Sequence, residues 1–440
     1  MKGMAEVGKD HIIVINVATL RKGLNEKMSG NLSMPKMCSI FRVPTILSRH
    51  SPQAYLPNQF SFGPFHHHNQ NLKGSEKIKA KYLVDLTSRL ENPNLNPNPK
   101  DRATILAELT EAICQIWKEA QDYYAGPLGM DATKFIEVLV LDGCFIVELF
   151  RKKAYDNLIE KDDPIFTMSC LHQFLWHDLI LLENQIPWVV LEILFDKTMI
   201  APIDKKPLVH LAIDFFANIF STTEPPVEPL LSNPNENKHI LDLLRNSLVL
   251  SSYVRKKRSF GWETMRSATT LKESGIKFKM LEKSESILDI RFDKKKGLLE
   301  IPPLFIQETT ETIFRNLICL EQCCPNYDAI ITSYAVLLDN LINTKDDTEI
   351  LCKSKAIQTW LNIDDATKFF NKLYIDTYVK ETYYLQLTKD VNEFCKQRWP
   401  TYRRVLMHDY FKHPWALISV IAAFIILILT FLQTLFSIQK

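Results

Sequence analysis

Two stretches of this chain, Thr133 to Tyr155 and Cys170 to Phe195, are apolar on almost every face a helix could show. A helix of that kind is stable only when other elements surround it, so the pair marks the middle of a sizeable core. Glycine supports a helical solution. Twelve glycines in 440 residues are well under half the average usage of ~7%, and phosphate-cradling loops and all-β turns both consume glycine. Nucleotide-binding folds and β-sandwiches therefore lose ground. The length suffices for one large core or two to three ordinary ones, and 46% apolar residues are too many for a disordered tail. A net charge of +2 removes the main electrostatic argument for a dedicated nucleic-acid binder, and no nucleic-acid partner is expected.

Residues 1–37 are mixed in character and expected to be poorly ordered, apart from a short helix near Ile12–Leu24. From Cys38 to Ser75 the chain is rich in Pro, His, Asn and aromatics and reads as ordered but irregular. Glu76 to Leu90 reads as a helix, broken by the Asn/Pro-rich run 91–100. Asp101 opens the next helix as an acidic N-cap, with Ile105, Leu109, Ile113 and Ile116 on one stripe and a stop near Gly126-Pro127. The loop 221–238, with four prolines, is the candidate boundary between two helical halves. Leu288, Ile290 and Phe292 alternate with Asp289 and Arg291, a strand period. With the polar turn Asp293–Gly297 and the return Leu298–Ile301, this predicts one small β-hairpin at about 287–301. Helices resume at Glu308, with Ile313, Leu317, Leu320 and Cys324 on one stripe, and again at Asp364.

Trp415 to Ser437 reads WALISVIAAFIILILTFLQTLFS, 23 residues without a charge. At 1.5 Å per residue they span about 35 Å, enough for a hydrocarbon core of ~30 Å. The segment 413–438 is therefore expected to be a transmembrane anchor, followed by a short tail, 439–440. Its anchoring residues are Trp415, Ala416, Leu417, Ile418, Ile421, Phe424, Leu427, Leu429, Phe431, Leu435 and Phe436, and the lipid bilayer is the expected partner of residues 415–437. Arg398, Arg403, Arg404 and Lys412 lie upstream against Lys440 downstream, which by the positive-inside rule places the body in the cytosol. The expectation is a single-pass protein of the plasma membrane or endoplasmic reticulum.

The nine cysteines are irregularly spaced and mostly lie in apolar stretches, as buried free thiols do in a reducing compartment. Cys319, Cys323 and Cys324 cluster, but no matching His or Cys pair stands at zinc spacing. The single N-x-S/T match, Asn31-Leu32-Ser33, also favours a cytosolic bulk.

Candidate chemistry is sparse. His66, His67 and His68 are adjacent, so their side chains diverge where a metal wants spaced ligands; a turn after Gly63-Pro64 accounts for them. His172 and His177, five apart, do not share a helical face. Asp142, Glu148, Asp178 and Glu183 stand in apolar stretches, and buried carboxylates with raised pKa values make catalytic acids. Caps, or pairing with a core arginine such as Arg315, use the same residues. Glu183-Asn184-Gln185 is expected to satisfy backbone groups before Pro187 interrupts the helix. The signatures G-x-S-x-G, G-x-x-x-x-G-K-[ST], H-E-x-x-H and G-x-G-x-x-G are missing, so no catalytic, cofactor-binding or metal-binding residue is assigned and no cofactor is expected. Arg255, Lys256, Lys257 and Arg258, followed by Phe260 and Trp262, form the sharpest basic cluster. It could meet anionic headgroups or a partner; a solvated loop is the ordinary alternative.

Several strings resemble a plant family known as domain of unknown function 247, also called uncharacterised protein family 0481. They are Phe41-Arg-Val-Pro44, Phe62-Gly-Pro-Phe-His-His67, Val140-Leu-Asp-Gly-Cys-Phe-Ile-Val-Glu148 and Asp178-Leu-Ile-Leu-Leu-Glu-Asn-Gln-Ile-Pro187. The likeness continues through Leu288-Asp-Ile-Arg-Phe292, Leu299-Glu-Ile-Pro-Pro303, Thr310-Glu-Thr-Ile-Phe-Arg-Asn-Leu317 and Asp409-Tyr-Phe-Lys-His-Pro-Trp415, from about Cys38 to Ile438. The resemblance implies a mostly helical, C-terminally anchored plant protein with no agreed enzymatic activity and no transferable catalytic residues. Some relatives are associated with pollen–pistil self-incompatibility in grasses, a role not carried over to this chain.

The sequence thus predicts a mainly α protein: a large helical cytosolic body over 38–412, one β-hairpin and a single C-terminal transmembrane helix. The expected function is a membrane-tethered, non-enzymatic recognition, signalling or scaffold module with protein partners, the loops 51–75 and 221–238 serving as contact surfaces. The alternatives are a membrane-bound enzyme of unrecognised class using the buried carboxylates or the His66–His68 region, and a structural anchor sequestering a client protein.

Overall fold

A computed structural model of the chain describes residues 3–5, 13–28 and 37–397, apart from 202, 218, 221–226, 232–236, 257–258, 260 and 380, together with the helix 414–438. A two-stranded pair, β1 (Gly3–Ala5) and β2 (Ile13–Ile15), precedes α1 (Val17–Met28). The short α2 (Thr45–Ser48) then leads to α3 (Gly74–Glu91), α4 (Arg102–Gln121) and α5 (Ala132–Ala154). Helices α4 and α5 begin where a carboxylate can cap them. Asp101 accepts the Thr104 N–H at 3.0 Å and Asp131 the Lys134 N–H at 2.9 Å, each satisfying a donor that has no partner within the helix.

Helix α5 is the all-round apolar segment, and it is buried on nearly every face from Val138 to Lys152. It is walled by α3 and α4 and, from further along the chain, by α8 (Trp188–Lys197) and α9 (Leu208–Phe215). Gly143 permits the close approach of α8: a Cβ there would lie 2.4 Å from Leu194 Cδ1. The second apolar stretch is not one helix. After α6 (Pro164–Thr167), α7 (Ser169–Leu179) ends well before Pro187, and an irregular turn carrying Glu183, Asn184 and Gln185 separates it from α8. The chain continues through α10 (Glu228–Leu231), α11 (Ile240–Val249) and α12 (Ala268–Glu273).

Three strands follow, β3 (Lys277–Met280), β4 (Arg291–Asp293) and β5 (Leu298–Ile301), ordered β3-β5-β4. The predicted hairpin is the antiparallel β4–β5 pair, with Phe292 opposite Leu299. Leu288 and Ile290 are buried but precede its first strand. Strand β3 adds to β5 in parallel, a crossover pairing that local alternation cannot reveal. Strand β6 (Leu304–Ile306) leads into α13 (Thr310–Cys323), α14 (Ile330–Leu341) and α15 (Lys345–Lys353). The chain then returns as β7 (Ile357–Thr359), parallel to β6. Helices α16 (Ile363–Phe370), α17 (Leu385–Lys396) and α18 (Pro414–Ile438) complete the order. One continuous cluster of buried apolar side chains runs from Cys38 to Cys395.

The expectation of a transmembrane helix at 413–438 is corrected: among the described residues no helix is long and apolar enough to cross a membrane. Helix α18 runs from Pro414 to Ile438. Its residues Ile418, Ile421, Phe424, Leu427, Leu429, Phe431 and Leu435 are exposed. Trp415, Ala416, Leu417 and Phe436 lie outside the described side chains. The single-pass topology, the bilayer partner and the cytosolic placement of the body all rested on that helix and lose their basis with it.

Candidate functional site

The buried face of α3 carries Ser75, Lys79, Tyr82, Leu86 and Arg89, so helical spacing sends two cations into the core. Across from them α5 presents Asp142, Phe145 and Glu148. Lys79 Nζ lies 2.6 Å from Asp142 Oδ1, and the Arg89 guanidinium grips Glu148 with both nitrogens, Nη2 to Oε2 at 2.6 Å. Further along α5, Lys152 reaches Asp85 (2.7 Å) and Asp163 (2.8 Å). Arg151 binds Asp204 Oδ1 and Thr198 Oγ1, both at 2.8 Å. A buried charge persists only when paired and hydrogen-bonded, and these cations meet that condition.

Asp142, with Asp178 and Asn184 of the turn region, also holds an irregular segment. Residues 58–63 belong to no helix or strand, yet Phe60, Ser61 and Phe62 are buried, so their backbone groups need partners other than water. Asp178 accepts the N–H groups of Asn58, Gln59 and Phe60 at 2.7, 2.9 and 2.7 Å. Asn184 accepts the Phe62 N–H at 2.7 Å and donates to the carbonyls of Phe60 and Asp178 at 2.9 and 2.8 Å. Asp142 Oδ2 accepts the Gly63 N–H at 2.9 Å, and Lys79 donates to the Ser61 carbonyl. Phe60 and Phe62 stack on Phe145 at 5.7 and 5.9 Å. Gly63 has φ +67°, and a Cβ there would lie 2.7 Å from the Gln185 carbonyl oxygen and 2.9 Å from Tyr124 Oη. No side chain fits at that position.

Gln185 ties the turn to the next layer. Its Nε2 donates to the carbonyls of Leu179 and Leu181 (2.7 and 2.8 Å), and its Oε1 accepts the Leu241 N–H at the start of α11 (3.1 Å). Burial pushes the Asp142 carboxyl up to about 6, with the Lys79 ammonium acting against the shift.

At the outer end of the turn, Glu183 accepts the Val43 N–H at 2.6 Å, with Arg42 Nη1 3.6 Å away. His66 Nε2 lies 3.4 Å from Glu183 Oε2 but is not aligned to form a hydrogen bond. Burial pushes His66 down to about 4 and raises Glu183, so the contact joins a neutral ring to a carboxylate. His67 packs edge-on to His68, ring centres 5.7 Å apart, while His68 Nε2 turns away to the Gly129 carbonyl at 3.1 Å. Among the described residues no group of three or more His, Cys, Asp or Glu could hold a metal ion.

The structure therefore brings Asp142 and Asn184 together around residues 58–63 and sets His66 beside Glu183, with His67 facing away. Arg255, Lys256, Lys257 and Arg258 fall outside the described side chains. Loop 51–75, expected as a contact surface, instead threads its middle, Phe60 to Phe65, into the core; loop 221–238 lies largely outside the described residues. Sequence reading missed Lys79, Arg89 and the clamping role of Asp178. The available signal was the α3 stripe, which continues from Tyr82 and Leu86 through Lys79 and Arg89.

Charges paired between helices and carboxylates committed to an otherwise unpaired backbone define a helical body braced by internal polar clamps. The chain belongs to DUF247, a family of plant proteins of unknown function, whose model matches residues 40–429 and so includes every clamp residue. It is 27% identical over 425 residues to the UPF0481 protein At3g47200 of Arabidopsis thaliana, covering 90% of this chain and 85% of that protein. It is 20% identical over 527 residues to the putative UPF0481 protein At3g02645 of the same plant, covering 96% and 94%. No solved structure matches.

Proposed function

We propose that the body is a protein-recognition module. The supporting observation is a pair of aromatic side chains held out from hydrogen-bonded backbone. Tyr378 is 74% exposed and Trp360 80% exposed. Gln322 on α13 fixes the Tyr378 backbone from both sides, accepting its N–H at 2.9 Å and donating to its carbonyl at 3.1 Å. The Trp360 N–H bonds the Ile306 carbonyl at 3.0 Å, extending the β6–β7 ladder. Rigid, exposed aromatics are the residues that dominate binding energy at protein interfaces, because they bury a large area at small entropic cost. The commitment of Asp142, Glu183 and Asn184 to backbone clamping supports the same reading over one in which they act as acids or bases.

The test is proximity labelling in plant cells with the full-length chain, wild type against Trp360→Ala and Tyr378→Ala. Recognition predicts that a defined set of neighbours falls at least fivefold in one or both variants, with unfolding midpoints unchanged. An identical set in all three proteins would refute it.

A further inference from the structure

A cavity of about 370 Å³ opens between the start of α17, strand β4 and the turn that follows α11. Aromatic and apolar wall from Tyr253, Phe292, Tyr383, Tyr384 and Leu387 is joined by polar surface from Arg291, Gln386 and Asp390. Two of the rings are fixed from behind. Tyr384 Oη donates to the Leu288 carbonyl at 2.7 Å, and Tyr253 Oη donates to the Ile290 carbonyl. Phe292 is braced edge-on by Phe394, centre to centre 5.8 Å. The volume lies in the ~300–1,000 Å³ range of small-molecule sites, whose usual lining is apolar walls with few convergent polar groups.

Two charges lie at the rim, and they are not equivalent. Asp390 is already compensated, with Lys294 Nζ at 2.7 Å and Gln386 Nε2 at 2.7 Å. Arg291 is exposed, and among the described residues no carboxylate forms an ion pair with it. Glu300, its cross-strand neighbour in the β4–β5 register, does not reach it. Asp289, behind it, is occupied by the Ser252 hydroxyl (2.6 Å) and the Tyr253 N–H (3.2 Å). The guanidinium carbon stands 5.4 Å from the Tyr253 ring centre, so the fork lies against the aromatic wall. The guanidinium also interacts with the Tyr253 hydroxyl and the Asp289 carboxylate, but its fork has five donors, and a planar guanidinium without a carboxylate ion pair is suited to two-pronged recognition of one.

We propose that this cavity binds a small planar aromatic carboxylate, its ring between the tyrosine and phenylalanine walls and its carboxylate on Arg291. With Lys294 committed to Asp390, Arg291 is the cation left to select a negative charge, the aromatic walls select a flat ring, and the volume limits the ligand to one or two rings. The site is independent of the exposed aromatics at 360 and 378, so it stands or falls apart from the recognition reading.

The experiment is calorimetric titration of the full-length chain with phenylacetate and 1-naphthylacetate, against phenylacetamide as the uncharged analogue and hexanoate as the anion without a ring. Saturable binding of at least one aromatic anion is expected below about 1 mM, an affinity near 4 kcal/mol, with both controls at least tenfold weaker. Arg291→Gln should weaken binding at least tenfold, and Leu387→Trp, which fills the cavity from a different wall, should abolish it. No saturable binding of either anion up to 10 mM would overturn the proposal. So would equal binding of either control, or unchanged affinity in whichever variants keep the wild-type unfolding midpoint.

Discussion

His239 offers a direct test of how burial and hydrogen bonding hold this body together. It caps α11: its Nδ1 accepts the Asp242 N–H at 3.2 Å, while Nε2 faces the Ser39 carbonyl at 3.3 Å. The ring therefore donates from Nε2 and accepts at Nδ1, and a second proton would remove the cap. It is fully buried, and burial pushes its pKa from 6.5 down to about 3. Below pH 6.5 the unfolded chain takes up a proton that the folded chain refuses. The contribution to stability is thus complete above 6.5 and is lost as pH falls towards 3. Between pH 7 and pH 5 the loss is about 2 kcal/mol, or roughly 2–3 °C in melting temperature for a chain of this size. Asp142 opposes it, since a carboxyl raised to about 6 gains roughly 1 kcal/mol over the same acidification. Wild-type melting alone therefore cannot isolate the effect, and the measurement needs His239→Asn. Asparagine keeps an N-cap acceptor and does not titrate; the lost ring volume costs about 1–2 kcal/mol at every pH. Thermal unfolding of both proteins at pH 7 and pH 5 should show the wild-type advantage changing by about 2 kcal/mol, enough to close or reverse it. A gap of constant size would refute the reasoning, because His239 would then titrate as it does in the unfolded chain.

Three further perturbations probe the clamp. Asp178→Ala strands three backbone N–H groups and should cost on the order of 4 kcal/mol, with new proteolytic cleavage near residues 58–63; unchanged melting and unchanged cleavage would contradict the clamp. Gly63→Ala combines positive φ with a collision against the Gln185 carbonyl and should cost at least about 3 kcal/mol, seen as loss of soluble protein or a sharply lower midpoint. Arg89→Met and Glu148→Leu should each destabilise by about 3–5 kcal/mol, while the double variant recovers most of the loss. Additive losses in chemical denaturation would show that the two charges do not depend on each other.

Much of the helical order was legible because it is local. Asp101 caps the helix that it was expected to cap, and the stretch 133–155 is α5 almost to the residue. The 288–301 alternation gave the hairpin, but not β3, whose partner lies beyond the turn. At 170–195 an interruption was expected at Pro187, but the first helix ends earlier, at Leu179. The run is apolar enough for one helix, yet it divides at 180–187 because its polar residues have distant work: Asn184 and Asp178 serve residues 58–62. At the C-terminus, composition and length alone carried the membrane expectation, and among the described residues no helix is long and apolar enough to meet it. The site was half legible. Asp142, Glu183 and Asn184 stood out as polar groups in apolar surroundings, but their clamp partners are 63 to 140 residues away, and no periodicity encodes such a separation.

The strings that carried the family resemblance can now be understood as parts of one system. Phe62 to His67 supplies a backbone with no secondary structure, while Asp178 to Pro187 and Val140 to Glu148 supply the acceptors that satisfy it. Neither part is stable alone. Without Asp178, Asn184 and Asp142, residues 58–63 would bury donors at about 1–3 kcal/mol each; without that segment, the carboxylates would be buried facing only Lys79 and Arg89, with lone pairs unfilled. The coupling also explains why the chain tolerates so much charge beside Phe60, Phe62 and Phe145. Lys79 and Asp142 are each hydrogen-bonded to backbone as well as to each other, which is the condition under which a buried pair adds order instead of only cost. A loop held in this way is rigid without being a helix or strand. The packing of α3, α5 and the turn 180–187 around residues 58–63 is therefore fixed by named hydrogen bonds on both sides.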